Sequence, residues 1–256
     1  GLGDVYKRQQ YVRYCFGRAK KGNRNATGLV MVMMQKLASS STAAILSAMQ
    51  TRLWRLQNGV SGDDIEDYDE EGIVGFDDLE TGDYSVEGAN YSFQNEESAL
   101  SSLIVEARHC LEIEQDAKTT ALIQKIYSLQ NDCADPDLKI LVFTEFRRTQ
   151  TYLQEQLEAA GLPTVGINGS MELQERQKAL IEFKNNARVM VATDAAGESL
   201  NMQFCHIVFN YDLPWNPMAI EQRIGRVDRI GQKSPVIAFN TVSYTHLRAH
   251  ETAANL

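Results

Sequence analysis

The sequence predicts an α/β fold, a parallel sheet with helices on both faces, preceded by a helical extension that carries an acidic insert. Three observations predict it. After Asp135-Pro136, short apolar runs alternate with amphipathic stretches long enough to be helices. The first run, Lys139-Ile140-Leu141-Val142-Phe143-Thr144, is continuously apolar in its middle, as in a strand buried on both faces. Small polar or acidic residues then close the runs: Thr144, Thr193 with Asp194, and Asn210 with Asp212. In doubly wound sheets the carboxyl ends of the strands are where ligands bind.

The elements follow in order. Leu29 to Leu37 and Thr42 to Leu56 read as helices, the second with Ile45, Met49, Leu53 and Leu56 at helical spacing and Ser40 or Ser41 available as a cap. Residues 10–57 form the helical extension and 58–95 the acidic insert, rich in Gly and acid and expected to be an exposed linker. Residues 96–242 lead through helices Glu96–Gln115 and Asp116–Leu129 into the α/β region. There the Lys139–Thr144 strand precedes a helix bearing Leu153 and Leu157, which stops at Gly161 and Pro163. A strand Thr164–Ile167, a helix Met171–Phe183, and strands Val189–Thr193 and His206–Asn210 come next. The helix Pro217–Ile224 starts with Asn216 as its cap and Pro217 in its first turn, and Val236–Phe239 closes the sheet. Residues 1–9 and 243–256 resemble translated adapter strings and are expected to be non-native.

Composition excludes some classes. The chain has 256 residues, 43% hydrophobic and 23% charged, and its longest apolar stretch, Leu29 to Met34, is far too short to span a membrane. Cys15, Cys110, Cys133 and Cys205 are scattered without a Cys-x-x-Cys, which predicts reduced thiols in a cytoplasmic protein and no zinc site. His246 and His250 stand one turn apart, but His-Glu-x-x-His is absent, so no metal site is expected. The net charge of −9 is unevenly placed. Between Leu56 and Ala107 there are 15 acids and no Lys or Arg, and the rest of the chain carries a net +6. A mildly basic body is compatible with a phosphate-backbone ligand.

The most informative segment is Glu221 to Gln232, where Arg223, Arg226 and Arg229 recur every three residues in a Gly-punctuated stretch. Guanidinium groups stay charged and match phosphate oxygens with a planar fork of donors. A solvated basic helix face is the alternative for such a run.

Five segments taken in order resemble the motifs of the second RecA-like lobe of superfamily 2 helicases. They are Leu141 to Phe146, Asn168-Gly169-Ser170-Met171 with Arg176, Val191 to Asn201, Asp212 to Pro217, and Gln222 to Gln232. Gln222 together with Ile230-Gly231-Gln232 resembles the Swi/Snf-type ATPases, in particular the bacterial branch that includes the RNA-polymerase-associated remodeller. The resemblance implies a P-loop NTPase-type lobe covering about Asp116 to Thr241, an ATP-dependent motor and a double-stranded DNA partner. It implies that Arg226 and Arg229 act as arginine fingers on the γ-phosphate and that Gln222 contacts the nucleotide. By the same resemblance, Asp194 and Gly197 couple the nucleotide cleft to the nucleic acid. Thr144, Gly169, Ser170, Thr193, Asn201 and Trp215 are then the nucleic-acid contacts, while Arg223 serves either an ion pair or the phosphate.

The chain contains no Gly-x-x-x-x-Gly-Lys-Ser/Thr loop and no Asp-Glu box. ATP and its Mg2+ are therefore expected to be held by an upstream RecA-like lobe of the same native chain, and this piece alone is expected to be inactive. Two other readings compete with the DNA-stimulated translocase: a lobe of a strand-separating DNA or RNA helicase, and a non-catalytic adaptor that binds a protein.

Overall fold

The computed structural model describes residues 34–58, 96–113, 116–194, 202–214, 216–229, 231–232 and 234–241. The terminal strings, the first part of the Leu29–Leu37 helix, the acidic insert beyond Asn58, and the site candidates Gly197, Asn201 and Trp215 lie outside the described residues. The chain divides into two compact units, with the break between Asp116 and Ala117.

In the first unit, residues 34–40 are helical and are followed by α1 (Thr42–Asn58) and α2 (Glu96–Ile113). Ser41 starts α1 by accepting the Ala44 N–H on its hydroxyl at 3.1 Å, which satisfies one of the donors a helix start leaves open. Met34, Ala38, Ile45, Leu46 and Met49 pack with Leu100, Ile104 and Ala107 of α2. Arg52 grips the buried Glu96 with a fork, Nε to Oε1 at 2.9 Å and Nη2 to Oε2 at 3.3 Å. A carboxylate so buried would be costly without that partner.

The second unit runs α3 (Ala117–Asp132), β1 (Ile140–Thr144), α4 (Arg147–Ala159), β2 (Thr164–Ile167), α5 (Leu173–Asn185), β3 (Val189–Thr193), β4 (Ile207–Asn210), α6 (Pro217–Ile224) and β5 (Ile237–Asn240). Its five strands lie in the order β2-β3-β1-β4-β5, and every pair is parallel. The alternation of side chains explains why both faces must be covered. Ile140, Val142, Val189, Val191, Ile207 and Phe209 pack with Leu122, Ile126 and Leu129 of α3 and Leu153 and Leu157 of α4. Their neighbours Leu141, Phe143, Met190, Ala192 and Val208 point the other way, packing with Phe183 of α5, Met202 and Val227. Each large side chain fully buried in this way contributes about 1.5–3 kcal/mol.

Local signals set the element ends. Gly161, with φ 77°, ends α4; the Leu162 N–H then reaches back to Leu157 O at 2.9 Å, a closure that favours glycine because the left-handed region clashes with a Cβ. Asn216 caps α6 by accepting the Met218 N–H at 2.9 Å, with Pro217 at the first helical position. The start of α5 falls two residues later than the sequence predicts, because Glu172 N–H donates to the Glu175 carboxylate at 3.0 Å and so fixes the helix start there. Edge strand β5 is held by the stacked rings of Phe209 and Phe239, 4.8 Å apart.

The order of strands has one consequence for ligands. β1 leaves through α4 toward β2, whereas β4 leaves through α6 toward β5, so the chain departs in opposite directions from two adjacent strands. A crevice opens at the carboxyl ends of such a pair. Among the described residues no helix is long and apolar enough to cross a membrane.

Candidate functional site

Helix α6 and the turn after it present two faces of different character. Backbone bonds continue past Ile224, with Gly225 N–H to Glu221 O at 2.8 Å and Asp228 N–H to Ile224 O at 2.9 Å. Helical spacing therefore holds through the turn, and residues four apart share a side. Arg223 and Val227 are buried. Gln222 and Arg229 are exposed, and Arg226 is half-buried.

Arg223 is the inward anchor. Its Nε and Nη2 donate to the two carboxylate oxygens of Asp194, both at 2.6 Å, and its Nη1 donates to Asn210 Oδ1 at 3.1 Å and to Asp212 O at 2.7 Å. The guanidinium also lies 5.3 Å from the Phe143 ring centroid. Its side chain is 3% exposed, while that of Asp194 is 36% exposed. One buried fork thus ties the ends of β3 and β4 to the helix that bears Gln222, and Arg223 serves the ion pair. Asp194 is committed to this fork.

Asp212 is a second node. Its Oδ2 accepts the Thr144 hydroxyl at 2.5 Å and the Glu145 N–H at 3.2 Å, and its Oδ1 accepts from Lys118 Nζ at 2.9 Å. Lys118 also lies 4.0 Å above the Tyr211 ring. Thr144 has no exposed surface, and Thr193, its register partner across β1 and β3, is 5% exposed. The two threonines sit side by side at the strand ends as the sequence places them, but Thr144 spends its hydroxyl inside the protein.

The Asn168–Met171 loop forms the third part. Gly169 is half-buried and Ser170 exposed. Arg176 holds the loop by donating to Gly169 O at 2.5 Å and to Met171 O at 2.9 Å. Ser170 Oγ donates to Asn168 Oδ1 at 2.8 Å. Gln150, 2% exposed, stands behind the loop with its amide bonded to Asn168.

Sequence reasoning missed Lys118 and Gln150. Nothing around Lys118 marks it. Gln150 had a signal: it precedes Leu153 by three residues and Leu157 by seven, which places a polar side chain on the buried stripe of α4.

The shifted titrations lie at the other end of the strands. Burial pushes the Cys205 thiol, just before β4, up to about 12. Burial and the nearby Arg188 charge lower Lys139, just before β1. At the carboxyl ends the Arg223 fork on Asp194 and the Asp212 carboxylate on Thr144 tie the ends of β1, β3 and β4 to α6.

Residues 117–231 match the family model described as the helicase conserved C-terminal domain. An uncharacterized ATP-dependent helicase of Bacillus subtilis, YqhH, is 36% identical over 155 residues, covering 60% of this chain and 26% of that protein. An ATP-dependent RNA helicase, dbp2 of Sclerotinia sclerotiorum, is 37% identical over 131 residues, covering 51% of this chain and 22% of that protein. Among solved structures, the C-terminal part of the Fun30 ATPase domain matches 98% of this chain and 82% of that one, with a TM-score of 0.53 and 16% identity. That last likeness speaks to fold alone. The chain spans about a quarter of the length of these two curated relatives.

Proposed function

We propose that this chain, a C-terminal RecA-like lobe of the superfamily 2 helicase type, supplies the arginine fingers and part of the nucleic-acid grip of a larger ATP-dependent motor. The observation that supports this most is the division of labour around α6. Arg223 faces inward as a fastener, while Gln222 and Arg229 are exposed and Arg226 is half-buried. Arg229 donates Nε to Gly225 O at 3.0 Å, and its other guanidinium donors have no partner among the described residues. Such donors fit a γ-phosphate presented by an upstream lobe. Mg2+ held there would help neutralise charge on the phosphates. Gln222 would touch the nucleotide, and Arg226 and Arg229 would stabilise charge developing on the transferred phosphoryl group.

Gly169, Ser170, Thr193, Asn201 and Trp215 are assigned to the nucleic acid, and Asp194 and Gly197 to coupling. Thr144, with its hydroxyl on Asp212, supports that surface from within. Phosphate contacts of this kind grip a strand without reading bases.

For the substrate we infer strand separation, with RNA first, because the relative from Sclerotinia sclerotiorum is described as an RNA helicase and YqhH as a helicase. A DNA-stimulated, Swi/Snf-type translocase in the RNA-polymerase-associated branch is the second reading, favoured by Gln222 with Ile230-Gly231-Gln232. The test uses the complete polypeptide and measures ATP hydrolysis with single-stranded RNA, duplex RNA and duplex DNA, alongside displacement of a labelled strand. RNA-stimulated hydrolysis with displacement supports the first reading; hydrolysis stimulated by duplex DNA without displacement supports the second. Hydrolysis absent with every nucleic acid would leave only a protein-binding adaptor.

A further inference from the structure

The buried amide of Gln150 is joined to the exposed Ser170 by an unbroken chain of hydrogen bonds. Gln150 Nε2 donates to Ile167 O at 2.9 Å and to Val191 O at 2.8 Å. Ile167 is the last residue of β2, so the amide continues the bonding between β2 and β3 where the backbone ladder stops. Its Oε1 accepts from Asn168 Nδ2 at 3.1 Å, and Asn168 Oδ1 accepts from the Ser170 hydroxyl at 2.8 Å. Both amide hydrogens and the oxygen of Gln150 are thus used. A buried amide is tolerated only when satisfied in this way.

The same loop is fixed from the other side. Arg176 Nη2 holds the Gly169 carbonyl. In a trans peptide the carbonyl and the following N–H point in opposite directions, so the Ser170 N–H is turned away from Arg176. The Ser170 hydroxyl proton is already given to Asn168, which leaves the backbone N–H as the loop's donor for an outside oxyanion. Backbone N–H groups in turns are effective phosphate donors.

We propose that Gln150 is a positioning residue for nucleic acid: through Asn168 it fixes the loop that offers the Ser170 N–H to one backbone phosphate. The inference rests on the reading of this loop as a nucleic-acid contact. The role differs from ordinary core packing because an apolar residue of similar size would fill the space but leave Asn168 unheld.

Binding of a fluorescein-labelled single-stranded RNA oligonucleotide to the chain tests this, with anisotropy measured across a salt series and the unfolding midpoint measured for each variant. Ser170→Asp places a like charge against the phosphate at an exposed position. Gln150→Leu and Asn168→Ala break the relay at two different links, and the second, should the first fold poorly, removes no core side chain and, of the buried groups, unpairs only Gln150 Oε1. The proposal expects Ser170→Asp to weaken binding, and each relay variant to weaken it roughly tenfold, as for one lost bond to a charged group. The double relay variant should be no weaker than either single. A backbone N–H carries no net charge and displaces no counterion, so the slope of log K against log salt should stay unchanged in the relay variants while the affinity falls. A general loss of structure would instead loosen the Lys and Arg contacts that set the slope and reduce it. If Ser170→Asp weakens binding while both relay variants bind normally, or weaken it only with a reduced salt slope and a lowered unfolding midpoint, the relay is refuted and the loop assignment stands. If Ser170→Asp binds like the parent, the loop faces no phosphate and both ideas fall.

Discussion

Replacing Arg223 with Ala should damage the fold of the α/β unit far more than replacing Arg229, six residues away. Arg223 gives two bonds of 2.6 Å to Asp194, one of 3.1 Å to Asn210 and one of 2.7 Å to Asp212 O, from a side chain only 3% exposed. Removing one member of a buried pair typically costs about 3–5 kcal/mol, because the other charge is stranded. Here Asp194 is 36% exposed, so water can take over part of its solvation and the cost falls to about 2–4 kcal/mol. Asn210 has no such relief, being fully buried. At about 2–4 °C per kcal/mol for a unit of this size, the melting midpoint should drop by roughly 5–15 °C. Arg229→Ala, at an exposed site, should stay within about 0.5 kcal/mol of the parent. Arg223→Lys keeps the charge but cannot reproduce the fork, so it should recover less than half of the loss. Urea titration followed by circular dichroism reads all three variants. Equal midpoints for Arg223→Ala and Arg229→Ala would refute the claim that one face of α6 fastens the fold while the other is left for a ligand.

Four further outcomes can be measured, three of them by unfolding and one by thiol labelling. Asp212→Ala strands Lys118, whose side chain is 12% exposed, and should cost about 2–4 kcal/mol in urea titration; a loss under about 0.5 kcal/mol would mean the node is dispensable. Gly231 has φ 106°, so Gly231→Ala should cost about 1–2 kcal/mol by backbone strain, and an unchanged midpoint would contradict it. Cys205, fully buried with its thiol pushed up to about 12 from 9.0, should resist iodoacetamide in the native protein while exposed Cys133 reacts. The stability that comes from keeping the Cys205 thiol protonated is complete below pH 9 and is lost as pH rises from 9 toward 12. Cys205→Ser should therefore flatten that alkaline decline, and parallel pH curves for parent and variant would show that the thiol contributes nothing there.

Much of the α/β unit was legible because its signals are local and agree with one another. The continuous run Ile140–Thr144 suited a strand covered on both faces, and the Asn216-Pro217 pair marked the start of α6 by cap chemistry. The sheet order was not legible from these signals, since strand pairing depends on which crossover each helix makes rather than on any one strand's composition. The candidate site divides in the same way. The spacing of Arg223, Arg226 and Arg229 was visible, but which of them turns inward depends on Asp194, 29 residues earlier in the chain. Likewise Thr144 looked like a free hydroxyl at a strand end, and only the fold brings Asp212 within 2.5 Å of it. Gln150 was readable in principle as a polar residue on an apolar stripe, yet its partners lie on two strands and a loop.

The most direct test of the account is single-turnover ATP hydrolysis by the complete polypeptide carrying Arg226→Ala or Arg229→Ala, with the unfolding midpoint measured alongside. Arginine fingers contribute about 10³–10⁵-fold to such rates, so each variant should hydrolyse ATP at least about 10³-fold more slowly, and the midpoint should be unchanged for exposed Arg229→Ala. Hydrolysis at the parent rate in a pure preparation of both variants would contradict the account.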